Sequence, residues 1–138
     1  GFPMGAVAAR TKVTDLMRPG DHGSTFGGNA LAAAAARATI DTLRDEQMGE
    51  HVIAVGKHLR HRLQAMPHVT EVRGRGLMRG AQLDVPIACE LVDEGLAEGL
   101  VLNHIGDSIL RFLPPLVITR EQVDEGMDKL EALINKLA

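Results

Sequence analysis

The chain has no tryptophan, no tyrosine and only three phenylalanines, Phe2, Phe26 and Phe112. Aromatic platforms for stacking nucleic-acid bases are therefore not expected. A single cysteine, Cys89, excludes an internal disulfide and makes a reducing, cytoplasmic compartment the default expectation. The longest apolar run, Ala30 to Ala36, is seven residues and mostly alanine. A bilayer span needs roughly 20 apolar residues, so no membrane segment is expected. Nor is there an excess of positive charge. Fifteen Lys and Arg face eighteen Asp and Glu, a net charge of −3, which argues against nucleic acid or an anionic membrane as the main partner. What remains is 138 residues, 45% apolar and 24% charged, the balance of one globular domain or the end of a larger one.

The opening Gly-Phe-Pro-Met-Gly-Ala-Val has the texture of core rather than of a leader, and the chain reads as a fragment entered midway. A polar stretch follows, closed by the turn signal Pro19-Gly20. Asn29 is a good N-cap, and the Ala-rich run after it predicts a helix through Met48. Val52, Val55, Leu59, Leu63 and Met66 recur at spacings of three and four. They predict a second helix over 50–66, stopped by Pro67 and suited to connect two bodies.

Beyond His68, two paired strands are expected at 69–72 and 76–85, turning at Gly74 and Gly76. Pro86 suits the first position of a helix that Gly99 would close. Strands are expected at 100–102 and 109–112, then a final helix opened by a capping box, Thr119 with Gln122. The second half thus reads β-β-α-β-β-α, a small α+β layer. The resulting division is 1–48, a connecting helix over 49–67, and 68–138.

Two places carry chemistry. Ser24 and Thr25 offer hydroxyls, Gly23, Gly27 and Gly28 let backbone approach a ligand, and a helix N-terminus follows. That combination favours an anion such as phosphate, although a plain capped turn has the same composition. Arg111 stands among Ile109, Leu110, Phe112 and Leu113, where a charge needs an internal acid or a ligand. A guanidinium fork suits a carboxylate. His22 reads as a loop spacer or a general base. Arg73, Arg75 and Arg79 read as a basic, solvated hairpin edge, and Cys89 as packed within its helix. His58 and His61 lack metal-ligand spacing, and no nucleophile motif or carboxylate pair is present, so catalytic and metal residues are assigned to none.

Four strings together resemble the class III, pyridoxal-phosphate-dependent aminotransferases. These are Phe2 to Val7, His22 to Asn29 with the Ala-rich run after it, Arg73 to Met78, and Gly99 to Asn103 with Ile109 to Ile118. The resemblance runs in order along essentially the whole chain. It implies an α/β fold, the C-terminal part of the aspartate aminotransferase-like (type I) transferase fold with a small α+β C-terminal domain. Its acetylornithine/succinylornithine branch is nearest, with ornithine and 4-aminobutyrate relatives close behind. By that resemblance Thr25 would donate to the phosphate of pyridoxal 5′-phosphate, across to the neighbouring subunit's site in a homodimer. Ser24 would contact the amino-acid substrate, and Arg111 its α-carboxylate. The partners implied are small amino acids and 2-oxo acids. Ala30 departs from the family's proline. The cofactor-bearing lysine would lie shortly before Gly1, and Lys12, Lys57, Lys129 and Lys136 match no place for it. The chain is then expected to be the C-terminal third of an enzyme, inactive alone. A different class, a ferredoxin-like amino-acid-binding module over 68–138, stands as the alternative.

Overall fold

The computed structural model describes residues 2–138, which fall into two compact units that meet in sequence between Glu46 and Gln47. The first unit holds a short helix α1 (Thr11–Thr14), which the polar composition did not announce, and α2 (Ala30–Asp45). Asn29 caps α2 as expected, its side-chain oxygen accepting the Ala32 N–H at 3.0 Å. The helix does not reach Met48. It ends at Asp45, and Gln47, in the left-handed region at φ 49°, stands just before the next helix. Among the described residues of this unit Ala32 is the one buried apolar residue, while Phe26, Leu31 and Ile40 are exposed.

The second unit starts with α3 (Met48–Gln64), then β1 (Val69–Arg75), β2 (Met78–Leu83), α4 (Ala88–Ala97), β3 (Asn103–Ile105), β4 (Ile109–Phe112) and α5 (Arg120–Leu137). The strands form one antiparallel sheet in the order β1-β2-β4-β3. Alternation sets its two faces. Val72, Ala81, Leu83, Leu110 and Phe112 point to one side and merge with residues of α3, α4 and α5 into a single core, whereas Glu71, Arg73, Gly80, Gln82 and Arg111 occupy the other. The helix expected as a connector gives Val55, Leu59 and Leu63 to that core. A ferredoxin-like module would need β-α-β crossovers. The sheet has one, β2-α4-β3 with β4 between the two parallel strands, where that module's β-α-β-β-α-β order needs two, and its other connections are the hairpins β1–β2 and β3–β4.

Three expected boundaries move or hold for local reasons. Pro86 lies before α4 rather than inside it: Ile87 is the N-cap, and the Asp107 carbonyl accepts the Ala88 N–H at 2.8 Å. The strand expected at 100–102 begins only at Asn103. Gly99 (φ 74°) closes α4 with its own N–H on Leu96 O and the Leu100 N–H on Gly95 O at 2.7 Å, so helix termination consumes the donor a strand would use. The Thr119–Gln122 capping box of α5 is formed as expected. Among the described residues no helix is long and apolar enough to cross a membrane.

The largest departure is Arg79. Expected on a solvated edge with Arg73 and Arg75, it is instead 7% exposed, on the helix side of β2. Its Nη1 donates to Gly74 O at 2.6 Å and its Nη2 to Gly56 O at 3.0 Å, while Nε is buried without a partner. Desolvation pushes its pKa down, with Arg60 nearby adding to the effect. Arg79 thereby joins the β1–β2 turn to α3, where Gly56 sits against Gly76. A Cβ at Gly56 would fall on the Gly76 backbone, 2.5 Å from its carbonyl carbon and 2.9 Å from its Cα.

On the far side of α3, His58 Nε2 donates to Asp124 at 2.8 Å, and Arg62 bridges Asp124 and Asp128. The bonds from His58 and then Arg62 hold the Asp124 carboxyl below the usual aspartate range.

Two outcomes follow from this packing. Gly56→Ala should destabilise the chain by about 1–3 kcal/mol in urea unfolding, because backbone cannot yield as a side chain can. Gly49→Ala, with nothing within 4 Å of its Cβ, should be neutral or stabilising. For Asp124 the folded pKa lies below the unfolded one. Its contribution is therefore complete above the ordinary aspartate range and is lost as pH falls through the depressed folded value. Asp124→Asn should flatten that acid limb of the stability–pH curve, and an unchanged limb would refute the assignment.

Candidate functional site

The Gly-rich segment of the first unit keeps its expected form. Residues 25–28 turn, with Gly28 at φ 72°, and deliver the chain into α2. Asn29 satisfies one of the first free N–H groups, that of Ala32, through its side chain, and its carbonyl accepts the first regular helix bond, from the Ala33 N–H at 2.9 Å. Those of Ala30 and Leu31 point out of the helix end without an intrahelical acceptor. Ser24 and Thr25 are exposed beside them, and among the described residues neither hydroxyl has a protein partner. A cavity of about 430 Å3 opens at this turn, lined by Phe2, Met4, Ser24, Phe26, Gly27 and Asn29. Hydroxyls, free N–H groups and the positive end of a 16-residue helix are a donor set for a phosphate. The residues fit the phosphate end of pyridoxal phosphate.

Arg111 lies in the second unit, on β4. It is exposed, opposite Gly80 of β2 and Asn103 of β3, and no acid among the described residues pairs with it. The internal salt bridge left open by the sequence is not formed. The residue projects from the open face of the sheet, while its neighbours Leu110 and Phe112 are buried on the other. Arg111 also borders a cavity of about 460 Å3 whose wall includes Leu102, Asn103, Leu113, Gln122 and Met127. An unneutralised guanidinium on the open face of the sheet is suited to a carboxylate.

The other candidates resolve differently. His22 is exposed in the loop. His58 is tied to Asp124, and His61 is exposed on α3. No metal-binding cluster occurs among the described residues. Cys89 is exposed rather than packed, its Sγ 3.6 Å from His104 Nδ1. That nitrogen donates to Gly106 O at 2.6 Å and so carries its proton there, which leaves it unable to accept one from the thiol. Sequence reasoning missed Arg79, and only the approach of two backbones explains where its guanidinium goes.

Comparison with known proteins bears on both units. The profile of the aminotransferase class-III family matches residues 1–134. The chain is 38% identical over 141 residues to an acetylornithine aminotransferase of Caldanaerobacter subterraneus subsp. tengcongensis, covering 99% of this chain and 36% of that protein. It is 40% identical over 138 residues to an ornithine aminotransferase of Staphylococcus carnosus, covering 97% of this chain and 34% of that one. Among solved structures, an acetylornithine aminotransferase from Elizabethkingia anophelis is similar with a TM-score of 0.83 and 34% identity, over 94% of this chain and 34% of that chain. The fold of these residues is thus that of a part of an aminotransferase. The chain belongs to the class-III aminotransferase family, and it spans about a third of the length of the curated relatives it matches.

The start of α2 gives a test. Asn29→Ala should cost the helix about 1 kcal/mol, read as lost helicity by circular dichroism. Ala30→Pro, which places the family's residue at a first helical position whose N–H has no intrahelical acceptor, should be tolerated. A loss of helicity in the proline variant would contradict the capping geometry.

Proposed function

We propose that this chain supplies the phosphate seat and the carboxylate fork of a pyridoxal-phosphate-dependent aminotransferase. It would act on acetylornithine with 2-oxoglutarate as acceptor, in arginine biosynthesis in the cytoplasm. Residues 1–48 would end the large cofactor-binding domain, 49–67 link it onward, and 68–138 form the small domain. The observation that carries the reading is Arg111, an unpaired guanidinium on the open face of the sheet in a chain of this family. Relatives named for ornithine are as similar as those named for acetylornithine, so a free ornithine donor is the second reading.

Pyridoxal phosphate, when bound, supplies the electron sink for bond-breaking at the substrate's α-carbon. The chain's own residues bind and orient. Thr25 would donate its hydroxyl to the phosphate, in a homodimer to that of the neighbouring subunit, with the first N–H groups of α2 adding their dipoles. Ser24 would touch the amino-acid substrate. Arg111 would hold the α-carboxylate through two parallel N–H donors, fixing the direction in which the α-carbon presents its bonds. None of the four lysines stands where the family carries its cofactor, so the residue that moves the α-proton is not among these groups.

In the full-length enzyme, Thr25→Ala should weaken cofactor retention by roughly ten- to a hundredfold, the loss of one charge-assisted hydrogen bond of about 1.5–3 kcal/mol. Arg111→Lys should raise KM for the amino acid, since a point charge cannot reproduce the fork. The 138-residue chain with added pyridoxal phosphate should show no transamination. Turnover by that chain alone would overturn the proposal.

A further inference from the structure

The hairpin of β3 and β4 opens at its far end. Its ladder runs Ile105↔Ile109, His104↔Leu110 and Asn103↔Arg111, and one more step each way would join Leu102 to Phe112 and then Val101 to Leu113. The pairing stops at Asn103 instead. On one arm the Leu100 N–H is spent on Gly95 O at the end of α4, and on the other Pro114 and Pro115 have no N–H to give a ladder. The cavity of about 460 Å3 lies in this opening, with Val101 and Leu102 on one wall and Leu113 and Pro114 on the other.

Its floor is the main core. Leu59 of α3 and Val123 and Met127 of α5 line it, and none of the three is more than 5% exposed. The cavity therefore lies on the helix side of the sheet. Arg111 is the one charged residue along its wall, and the guanidinium projects from the opposite face. Space is kept by Gly126, within α5, where glycine lowers helix propensity and no left-handed φ requires it. A Cβ there would lie 3.6 Å from Leu100 Cδ1, at the cavity wall.

The polar groups at the mouth are of one kind. The Val101 and Leu113 N–H groups, which a continued ladder would use, have no backbone acceptor among the described residues. Gln122 has its Oε1 on the Thr119 N–H, which leaves Nε2 as the available half of its amide. Donors without a facing cation, above an apolar floor, suit an apolar body that ends in an uncharged oxygen acceptor.

We propose that the open end of the β3–β4 hairpin is a binding site for a small, uncharged aliphatic carbonyl compound. Its apolar body would rest on Leu59, Val123 and Met127, and its oxygen would accept from the Val101 and Leu113 N–H groups. The site is separate from the carboxylate fork and does not depend on it. A cleft that stays empty is the competing account.

The test titrates the 138-residue chain with isovaleramide and with isovalerate, which match in shape and differ in charge, while NMR follows methyl and N–H signals. Isovaleramide should shift the Val101 and Leu113 N–H signals and the Leu59, Val123 and Met127 methyls along one saturating curve, and leave the Arg111 Nε–H signal in place. It should bind there about tenfold more tightly than isovalerate, whose carboxylate would shed water at an apolar wall without a cation. Gly126→Leu builds a side chain into the cavity and should abolish these shifts. Val101→Pro removes one donor outside any strand and should weaken isovaleramide about two- to tenfold, the worth of one hydrogen bond, which keeps the proposal testable if Gly126→Leu fails to fold. Shifts that do not saturate, equal binding of amide and carboxylate at these signals, or full affinity in Gly126→Leu or Val101→Pro would each overturn it.

Discussion

The second unit depends on one close approach, that of α3 to the turn between β1 and β2. Gly56 makes it sterically feasible by bringing no side chain to the Gly76 backbone, and Arg79 ties it by donating to a carbonyl on each side. The arrangement is unusual in charge. A buried guanidinium normally meets a carboxylate, but this one meets two carbonyl dipoles and leaves Nε without a partner. Its contribution is geometric rather than a gain in Coulomb energy. It ties β2 to the β1–β2 turn and to α3, and β2 in turn pairs with the strand that carries Arg111. The strand that carries Arg111 is thus braced by a residue on the opposite face of the sheet.

Much of this architecture was legible because it is written in local rules. The apolar spacing of Val55, Leu59 and Leu63, the Thr119–Gln122 box and the Asn29 cap each specify an element without reference to anything distant. The failures share a different cause. Leu100 to Leu102 have strand composition, but the closure of α4 on Gly95 and Leu96 takes precedence over it. Arg79 looks like its neighbours Arg73 and Arg75 in sequence. Its alternation is what separates it, since an odd step along β2 turns it to the helix side, where a guanidinium must find acceptors. The partners it finds, Gly56 and Gly74, are specified by tertiary contact and carry no side-chain signature.

The candidate site was legible to a different degree in each unit. Ser24, Thr25 and the glycines around them announce a turn that opens a helix, and that turn forms with its donors free. Arg111 announces only a charge in apolar company. Its two permitted fates, an internal acid or an open face, differ in strand register, which composition does not contain.

The two units also differ in how much they bury, a single alanine among 2–46 against a continuous core over the rest. Resistance of a backbone amide to solvent deuterium follows the free energy needed to open its surroundings. Amides of α3, β2 and β4 therefore exchange only when the whole second unit opens, and they open together. Those of α2 are guarded by helix hydrogen bonds with no packed side to support them, and exchange through fraying from the ends. The chain behaves as one cooperative block preceded by a helix whose lifetime is set by its cap.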